Sequence, residues 1–276
     1  MSQKASFELS AFLRGLFLIL SAVLSTALLG PPALVAALLD RSGRWPSFFQ
    51  SLWVGWLLRT NGIRLEIKGR ENLGKDCRYV LVSNHASILD IPAIIFAAPF
   101  PVRFLAKRSL AWFPVFGWFL YLAGHLLIDR RSAPSALRAL KKAPSLLEKG
   151  ISIVVFPEGT RSPDGKVKEF KRGAFLLAQH SGYPVVPVSI AGSYEMIPRH
   201  GWCFRKGTIH VHLAEPIPTL DLPPGEAKDL LRRVRETVME NLKKGRAEQE
   251  VRGQERGARE EEGMKDAEGR MQEHRA

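Results

Sequence analysis

His85 stands five residues ahead of an acid in the segment Asn84-His85-Ala86-Ser87-Ile88-Leu89-Asp90. A carboxylate that holds one imidazole nitrogen fixes the tautomer and stabilises the cation, and this makes the other nitrogen a general base for a hydroxyl. On a continuous helix the two residues would lie about 140° apart, because successive residues advance by about 100°. A bend between them is therefore required. Ser87-x-x-Asp90 has the pattern of a helix start, which puts His85 in a loop and Asp90 in the first turn. A second segment, Pro157-Glu158-Gly159-Thr160-Arg161-Ser162, sets a guanidinium and two hydroxyls in a glycine-containing turn. Such a turn exposes backbone N–H groups and suits a phosphate.

Both segments follow apolar runs that must position them. Tyr79-Val80-Leu81-Val82 and Ile151-Ser152-Ile153-Val154-Val155-Phe156 are rich in β-branched residues and read as buried strands. The carboxyl ends of strands are where open α/β sheets place their chemistry. Arg64 to Lys68 alternates polar and apolar residues, and Pro184 to Val188 and Thr208 to Leu213 supply later strands. Ser135 to Lys149 has a helical period, as does Glu226 to Lys244, with Leu230, Leu231, Val234 and Val238 on one side. This alternation predicts an α/β domain with a mixed, mainly parallel sheet flanked by helices. His210 and His212 share a strand face but lack a third ligand in view, so they are read as strand residues and no metal site is expected.

The two motifs together resemble the glycerolipid acyltransferase family, the 1-acylglycerol-3-phosphate O-acyltransferases in particular: His-x4-Asp, then some seventy residues later Phe156-Pro157-Glu158-Gly159-Thr160-Arg161-Ser162. Further blocks fall in the family's order. Ala106-Lys107-Arg108-Ser109-Leu110, ahead of Pro114-Val115-Phe116-Gly117-Trp118, resembles the segment whose lysine borders the acceptor tunnel. Gly124-His125-Leu126-Leu127-Ile128-Asp129-Arg130 resembles the block whose arginine helps bind glycerol phosphate, with Leu127 in place of the usual aromatic residue. Phe170-Lys171-Arg172-Gly173 and Pro184-Val185-Val186-Pro187-Val188 complete the series. The resemblance covers about residues 60 to 220. It implies that His85 and Asp90 are catalytic and that Lys107, Arg130, Glu158, Gly159, Thr160 and Arg161 contact substrate. A carboxylate beside a phosphate is repulsive, so Glu158 is read as bracing Arg161 or the amides of the turn. The implied reaction is transfer of an acyl chain from acyl-CoA or acyl carrier protein, as co-substrate, to the sn-2 hydroxyl of lysophosphatidate, giving phosphatidate. No serine or cysteine sits where an acyl-enzyme would need it, and no cofactor is implied. Other lyso-lipid acceptors, a non-catalytic module for anionic membranes and a metallohydrolase built on His85 and Asp90 are the competing readings.

Composition fits a membrane-surface enzyme. The chain has 276 residues, is 46% hydrophobic and carries a net charge of +13. Its cations are neither packed into one arm nor interleaved with aromatics, which argues against a nucleic-acid partner and for anionic lipids and substrates. Cys77 and Cys203 make no disulfide framework. Gly15 to Leu29 is apolar, and after Gly30-Pro31-Pro32 the run resumes to Leu39. It reads as one kinked span, as two shorter helices forming a re-entrant hairpin, or as a signal peptide. Trp45 to Arg59 carries three tryptophans and reads as an interfacial helix or a cover for the core. The expected organisation is an N-terminal membrane anchor over 1–60, an acyltransferase domain over 61–245 and a charged disordered tail over 246–276, which holds seven basic and nine acidic residues. Acyl thioesters and the basic flanks imply the inner membrane, with the domain on its cytoplasmic face.

Overall fold

All four residues of the strand Val80–Ser83 are buried, as a strand covered on both faces must be. It lies at the centre of a computed structural model that describes residues 2–40, 43–129, 132–171, 177, 181–201, 203–220 and 228–249. Strands β1 (Arg64–Lys68), β2 (Val80–Ser83), β3 (Val102–Lys107), β4 (Leu126–Ile128), β5 (Ser152–Val155), β6 (Val185–Ala191) and β7 (Thr208–Leu213) form a sheet in the order β1-β7-β6-β2-β5-β3-β4. Every neighbouring pair is parallel except β6 and β7. The sheet is thus mixed and mainly parallel, as the alternation of elements predicts.

Successive side chains on a strand point to opposite faces, and the two cores divide accordingly. Val80, Val82, Ile153 and Val155 pack with Ala139, Ala143 and Leu147 of helix α5 (Ala133–Glu148), and with Leu230, Val234 and Val238 of a helix over 228–249. Leu81, Val154 and Val186 pack on the other side with α2 (Arg44–Thr60) and α3 (Asp90–Ala97). Helix α5 begins two residues before the expected Ser135, because the Ser132 hydroxyl caps it by accepting from the Ser135 amide at 3.2 Å. The helix over 228–249 runs past the boundary expected at 245. Arg246 donates to Gly165 O at 2.7 Å and Glu248 pairs with Lys68 at 2.6 Å, so this last turn lies on the body. The rest of the expected tail, 250–276, lies outside the described residues.

The N-terminal helix α1 (Ser2–Leu39) is continuous through Pro31 and Pro32, which settles the choice at Gly30 against a break into two helices. At 1.5 Å per residue it is about 57 Å long. The segment Glu8–Leu39, whose most apolar stretch has a mean hydropathy of 2.1, is the one helix among the described residues long and apolar enough to cross a membrane. Its burial inverts the pattern of a soluble helix. Ala11, Ser21, Ser25, Ala33 and Ala37 face the protein, while Leu20, Leu24 and Leu28 are each more than half exposed. Small residues at the contact let backbones approach closely and large aliphatic ones outside suit lipid, as in membrane helices. Three hydrogen bonds register the helix: Trp53 Nε1 to Thr26 Oγ1 at 3.1 Å, Asn61 Nδ2 to Ser21 Oγ at 2.9 Å, and Phe204 N to Ala11 O at 3.0 Å.

Helix α2 covers the core with one side and leaves its aromatic side uncovered. Val54, Leu57 and Leu58 cover the core, and Trp45, Phe48 and Trp56 remain exposed on its other side. The turn joining α1 to α2 is fastened to the sheet by Arg103, which has no exposed surface. It donates to Ala123 O at 2.5 Å, to Ser47 Oγ at 3.0 Å and to Gly43 O at 3.4 Å. Burial lowers its guanidinium to about 10, so it stays charged at neutral pH and is satisfied by carbonyls and a hydroxyl.

Candidate active site

The parallel strands deliver the chemistry-bearing residues to one edge of the sheet. His85 follows the C-terminal end of β2, Glu158 to Arg161 follow that of β5, Lys107 ends β3, and Ser193 follows β6. Motifs separated by some seventy residues therefore meet because β2 and β5 are hydrogen-bonded neighbours. This is the carboxyl edge at which open α/β sheets bind ligands.

The bend expected between His85 and Asp90 is present. Asp90 opens α3, and its Oδ2 lies 2.8 Å from His85 Nδ1. The same oxygen accepts from the amides of Ala86 at 2.7 Å and Ser87 at 2.9 Å, while Oδ1 accepts from Ser193 Oγ at 2.5 Å. Asp90 has no exposed surface, so both its oxygens are saturated by donors away from water. With Nδ1–H donated to Asp90, the lone pair of the neutral ring falls on Nε2. The helix start differs from the expected one. Ser87 does not cap α3; its hydroxyl donates to Ile197 O at 2.7 Å and accepts from the Leu89 amide at 3.3 Å. Asp90 does reach back to the Ser87 amide as the acid of a capping box would, but here it serves the histidine as well.

The second motif closes on the first. Glu158 is buried; its Oε1 accepts from the His85 amide at 2.9 Å and its Oε2 from the Lys168 amide at 3.2 Å. The sequence leads one to expect Glu158 to brace Arg161 or the amides of its own turn; the amides it holds belong instead to the histidine loop and to the segment beyond the turn. Burial raises its carboxyl above the usual range and the two amide bonds oppose that rise. The Ser162 amide donates to His85 O at 2.7 Å, and the Phe156 ring stacks on the imidazole, with centroids 4.0 Å apart at 17°. Gly159 has φ +74°, a left-handed backbone conformation that favours glycine, and the end of the Lys171 side chain lies over it, 3.1 Å from where a Cβ would sit. Thr160 and Arg161 are half-buried in the same turn. Burial and the nearby Arg199 cation lower the Arg161 guanidinium, and Asp90 acts in the opposite sense.

His85, Asp90, Glu158, Gly159, Thr160 and Arg161 are thus brought together. Lys107 is exposed at the end of β3, two strand spacings or about 10 Å from β2. Arg130 lies outside the described residues. Three contributors were not among the expected site residues. Asn84 exchanges two hydrogen bonds with Ile190 of β6, at 2.8 and 2.9 Å, Ser193 holds Asp90, and Arg199 touches the Arg161 carbonyl at 3.1 Å.

An apolar cavity of about 230 Å³ lies between α1, α2, α3 and β3, lined by Gly30, Trp53, Ile88, Ile95, Phe104 and Phe116 among others. Phe104 stacks on Phe156, which stacks on His85, so the cavity wall continues into the histidine site. One wall is a strained turn. Val115, at φ 61° and ψ −62°, is the centre of a γ-turn closed by Phe116 N to Pro114 O at 2.6 Å. Its side chain fills the notch left by Gly30, where a Cβ would lie 2.3 Å from Val115 Cγ1.

A base-poised histidine, cations beside it and an adjoining apolar cavity are the parts an enzyme needs to acylate a lipid. Residues 64–191 match the Acyltransferase family. Over those residues, from β1 to β6, the chain is similar to an acyltransferase domain. The 1-acyl-sn-glycerol-3-phosphate acyltransferase of Limnanthes alba is 36% identical over 176 residues, covering 63% of this chain and 59% of that protein. The alpha form from Homo sapiens is 35% identical over 179 residues, 64% of this chain and 63% of its own length. The chain therefore spans about three fifths of the length of these curated relatives. The crystal structure of the 1-acyl-sn-glycerophosphate acyltransferase from Thermotoga maritima superposes with a TM-score of 0.76 at 29% identity, covering 87% of this chain and 97% of that one. The matched acyltransferase segment starts with β1 and ends with β6, so Ser193 and Arg199 fall just beyond it.

Proposed function

We propose that this protein transfers an acyl chain from an acyl thioester, on coenzyme A or acyl carrier protein, to the sn-2 hydroxyl of 1-acylglycerol-3-phosphate, giving phosphatidate. The observation that carries this reading is the His85–Asp90 pair, set beside the Arg161 turn and next to the apolar cavity. Relatives named for this activity, and a solved structure so named, support it.

In this mechanism His85 Nε2 takes the proton from the acceptor hydroxyl as its oxygen attacks the thioester carbon. Asp90 stabilises the resulting imidazolium. The C–S bond then breaks, and the imidazolium returns its proton to the thiolate that leaves. Proton transfer by a positioned base contributes about 10²- to 10⁴-fold, and the rest comes from holding two substrates in register. Arg161, with Lys107 and Arg130, neutralises the phosphate, and the apolar cavity takes the donor's acyl chain. The reaction needs no resident cofactor. The outer face of α1 and the exposed aromatics of α2 hold the enzyme at the membrane, which we assign to the inner membrane with the site on the cytoplasmic face.

The test is acyl transfer from labelled acyl-CoA to lysophosphatidate by membranes carrying the wild type or His85→Ala, in a host lacking its own activity. Phosphatidate made by the wild type alone supports the reading. Absence of product with either thioester carrier, alongside product from another lyso-lipid, would overturn the assigned acceptor.

A further inference from the structure

The Arg199 guanidinium lies against the backbone of the Arg161 turn, and neither arginine has a carboxylate within ion-pair distance among the described residues. Arg199 Nη1 donates to the Arg161 carbonyl oxygen at 3.1 Å, which uses one of its five N–H donors and leaves the others for a ligand. Both side chains are half-buried. Burial and then the Arg199 cation disfavour the charge on Arg161, and Asp90, which opposes them, has both its oxygens taken by other donors.

The position of Arg199 is built. It follows Pro198 in a turn closed by Gly201 N to Pro198 O at 3.0 Å. Two residues earlier, Ile197 O takes the Ser87 hydroxyl at 2.7 Å, and four residues before that Ser193 holds Asp90. The segment from Ser193 to Arg199 is therefore fastened to the catalytic loop at two points and to the Arg161 turn at a third. Two unpaired guanidinium groups so held beside a general base call for a ligand with more than one negative charge, and planar forks suit phosphate oxygens bidentately.

We propose that Arg199 is a second guanidinium ligand for the acceptor phosphate, and that with Arg161 it makes the site select a phosphomonoester over a phosphodiester or an uncharged glyceride. This rests on the lysophosphatidate reading and adds the residue that sets headgroup preference. A phosphomonoester carries close to two charges at neutral pH, as a phosphorylated side chain does, whereas a diester carries one.

The experiment compares wild type, Arg199→Gln and Arg199→Lys in steady state, with lysophosphatidate, lysophosphatidylglycerol and acyl-CoA varied in turn, and with glycerol 3-phosphate as a competitive probe. Arg199→Gln should raise the KM for lysophosphatidate and the inhibition constant of glycerol 3-phosphate together, by about 10- to 100-fold. The KM for acyl-CoA should change less than about threefold. The preference for lysophosphatidate over lysophosphatidylglycerol should shrink by the same factor, with Arg199→Lys intermediate because it keeps the charge but loses the fork. Thermal midpoints of the variants separate this from misfolding, and Arg199→Lys retains the test if Arg199→Gln does not fold. An unchanged KM and inhibition constant would overturn the proposal, as would a loss of kcat shared equally by both acceptors, which is the signature of a purely structural tie to the Arg161 turn. A wild type that makes phosphatidate while Arg199→Gln behaves identically removes only Arg199. A wild type inactive on lysophosphatidate removes the underlying reading as well.

Discussion

Asp90 Oδ2 is held 2.8 Å from His85 Nδ1 by the amides of Ala86 and Ser87, which donate to the same oxygen. The carboxylate is therefore fixed before any substrate arrives, and its charge is aimed at the imidazole. Asp90→Asn keeps the shape but offers an amide in place of one oxygen, so it either loses the amide bonds or turns an N–H towards the ring and favours the wrong tautomer. We expect kcat to fall about 10²- to 10⁴-fold with the KM for either substrate changed less than about threefold. A variant that retains more than a tenth of the wild-type kcat would remove Asp90 from the mechanism.

The buried Glu158 carboxylate ties two distant backbone segments together, the His85 amide on one oxygen and the Lys168 amide on the other. Glutamine can supply one carbonyl oxygen only, and its NH₂ must face the second amide. Leaving a buried N–H without an acceptor costs about 1–3 kcal/mol. Glu158→Gln should lower the unfolding free energy by that amount in detergent and reduce turnover, because the histidine loop loses its anchor. An unchanged denaturation midpoint would show that the brace contributes nothing.

How much of this was legible beforehand depends on the range of the interaction. The His85–Asp90 pair could be read because both partners lie within six residues and a bend between them was a steric necessity. Strands β2 and β5 could be read because burial on both faces leaves continuous apolar runs, Tyr79 to Val82 and Ile151 to Phe156. Ser193 could not be found this way: it meets Asp90 only because β6 pairs with β2, and a lone serine after a strand carries no local pattern. Asp90 stands in the first turn of α3 as its spacing implies, but the expected serine cap is absent. The Ser87 hydroxyl accepts from Leu89 in the loop and donates to Ile197 O, a partner no local pattern reveals. Helix α1 shows a third limit. Gly30-Pro31-Pro32 is a breaker by local propensity, yet contacts with α2 and α4 (Phe116–Leu122) accompany a continuous helix there.

His125 gives the protein an acid-sensitive point away from the catalytic pair. Its Nδ1 accepts from the Phe104 amide at 3.2 Å, so the neutral ring carries its proton on Nε2, which has no hydrogen-bond partner among the described residues. Burial, then the Arg103 cation, push its pKa well below the ordinary 6.5. In the unfolded chain the imidazole takes a proton below about pH 6.5 while the folded protein does not, so the unfolded state binds more protons and stability falls as the pH drops through that window. The slope is at most about 1.4 kcal/mol per pH unit for one proton. Well above pH 6.5 neither state is protonated and the dependence fades out. His125→Asn keeps an acceptor near the Nδ1 position and cannot titrate, so unfolding measured from pH 7 to 5 should be flatter by that slope than in the wild type. Equal slopes would mean that the buried ring is protonated in the folded protein.

The two faces of α1 should answer differently to substitution. Leu20, Leu24 and Leu28 lie four residues apart on the outer face and are 57%, 52% and 57% exposed. Burying a leucine is worth about 1.5–3 kcal/mol, so changing all three to serine should weaken membrane partitioning by several orders of magnitude without touching the contact with α2. Ala11 is 1% exposed against the rest of the protein and its carbonyl takes the Phe204 amide at 3.0 Å, so Ala11→Leu must displace neighbours to place its extra carbons. That change should leave membrane binding intact but cost about 1–3 kcal/mol of stability through overpacking. Flotation with lipid vesicles separates the cases. The triple serine variant should remain with the dense fraction and unfold at the wild-type midpoint, and Ala11→Leu should float and unfold earlier. If the triple variant floats like the wild type, the exposed leucines are not what holds the enzyme to lipid, and the exposed aromatics of α2 must carry that role.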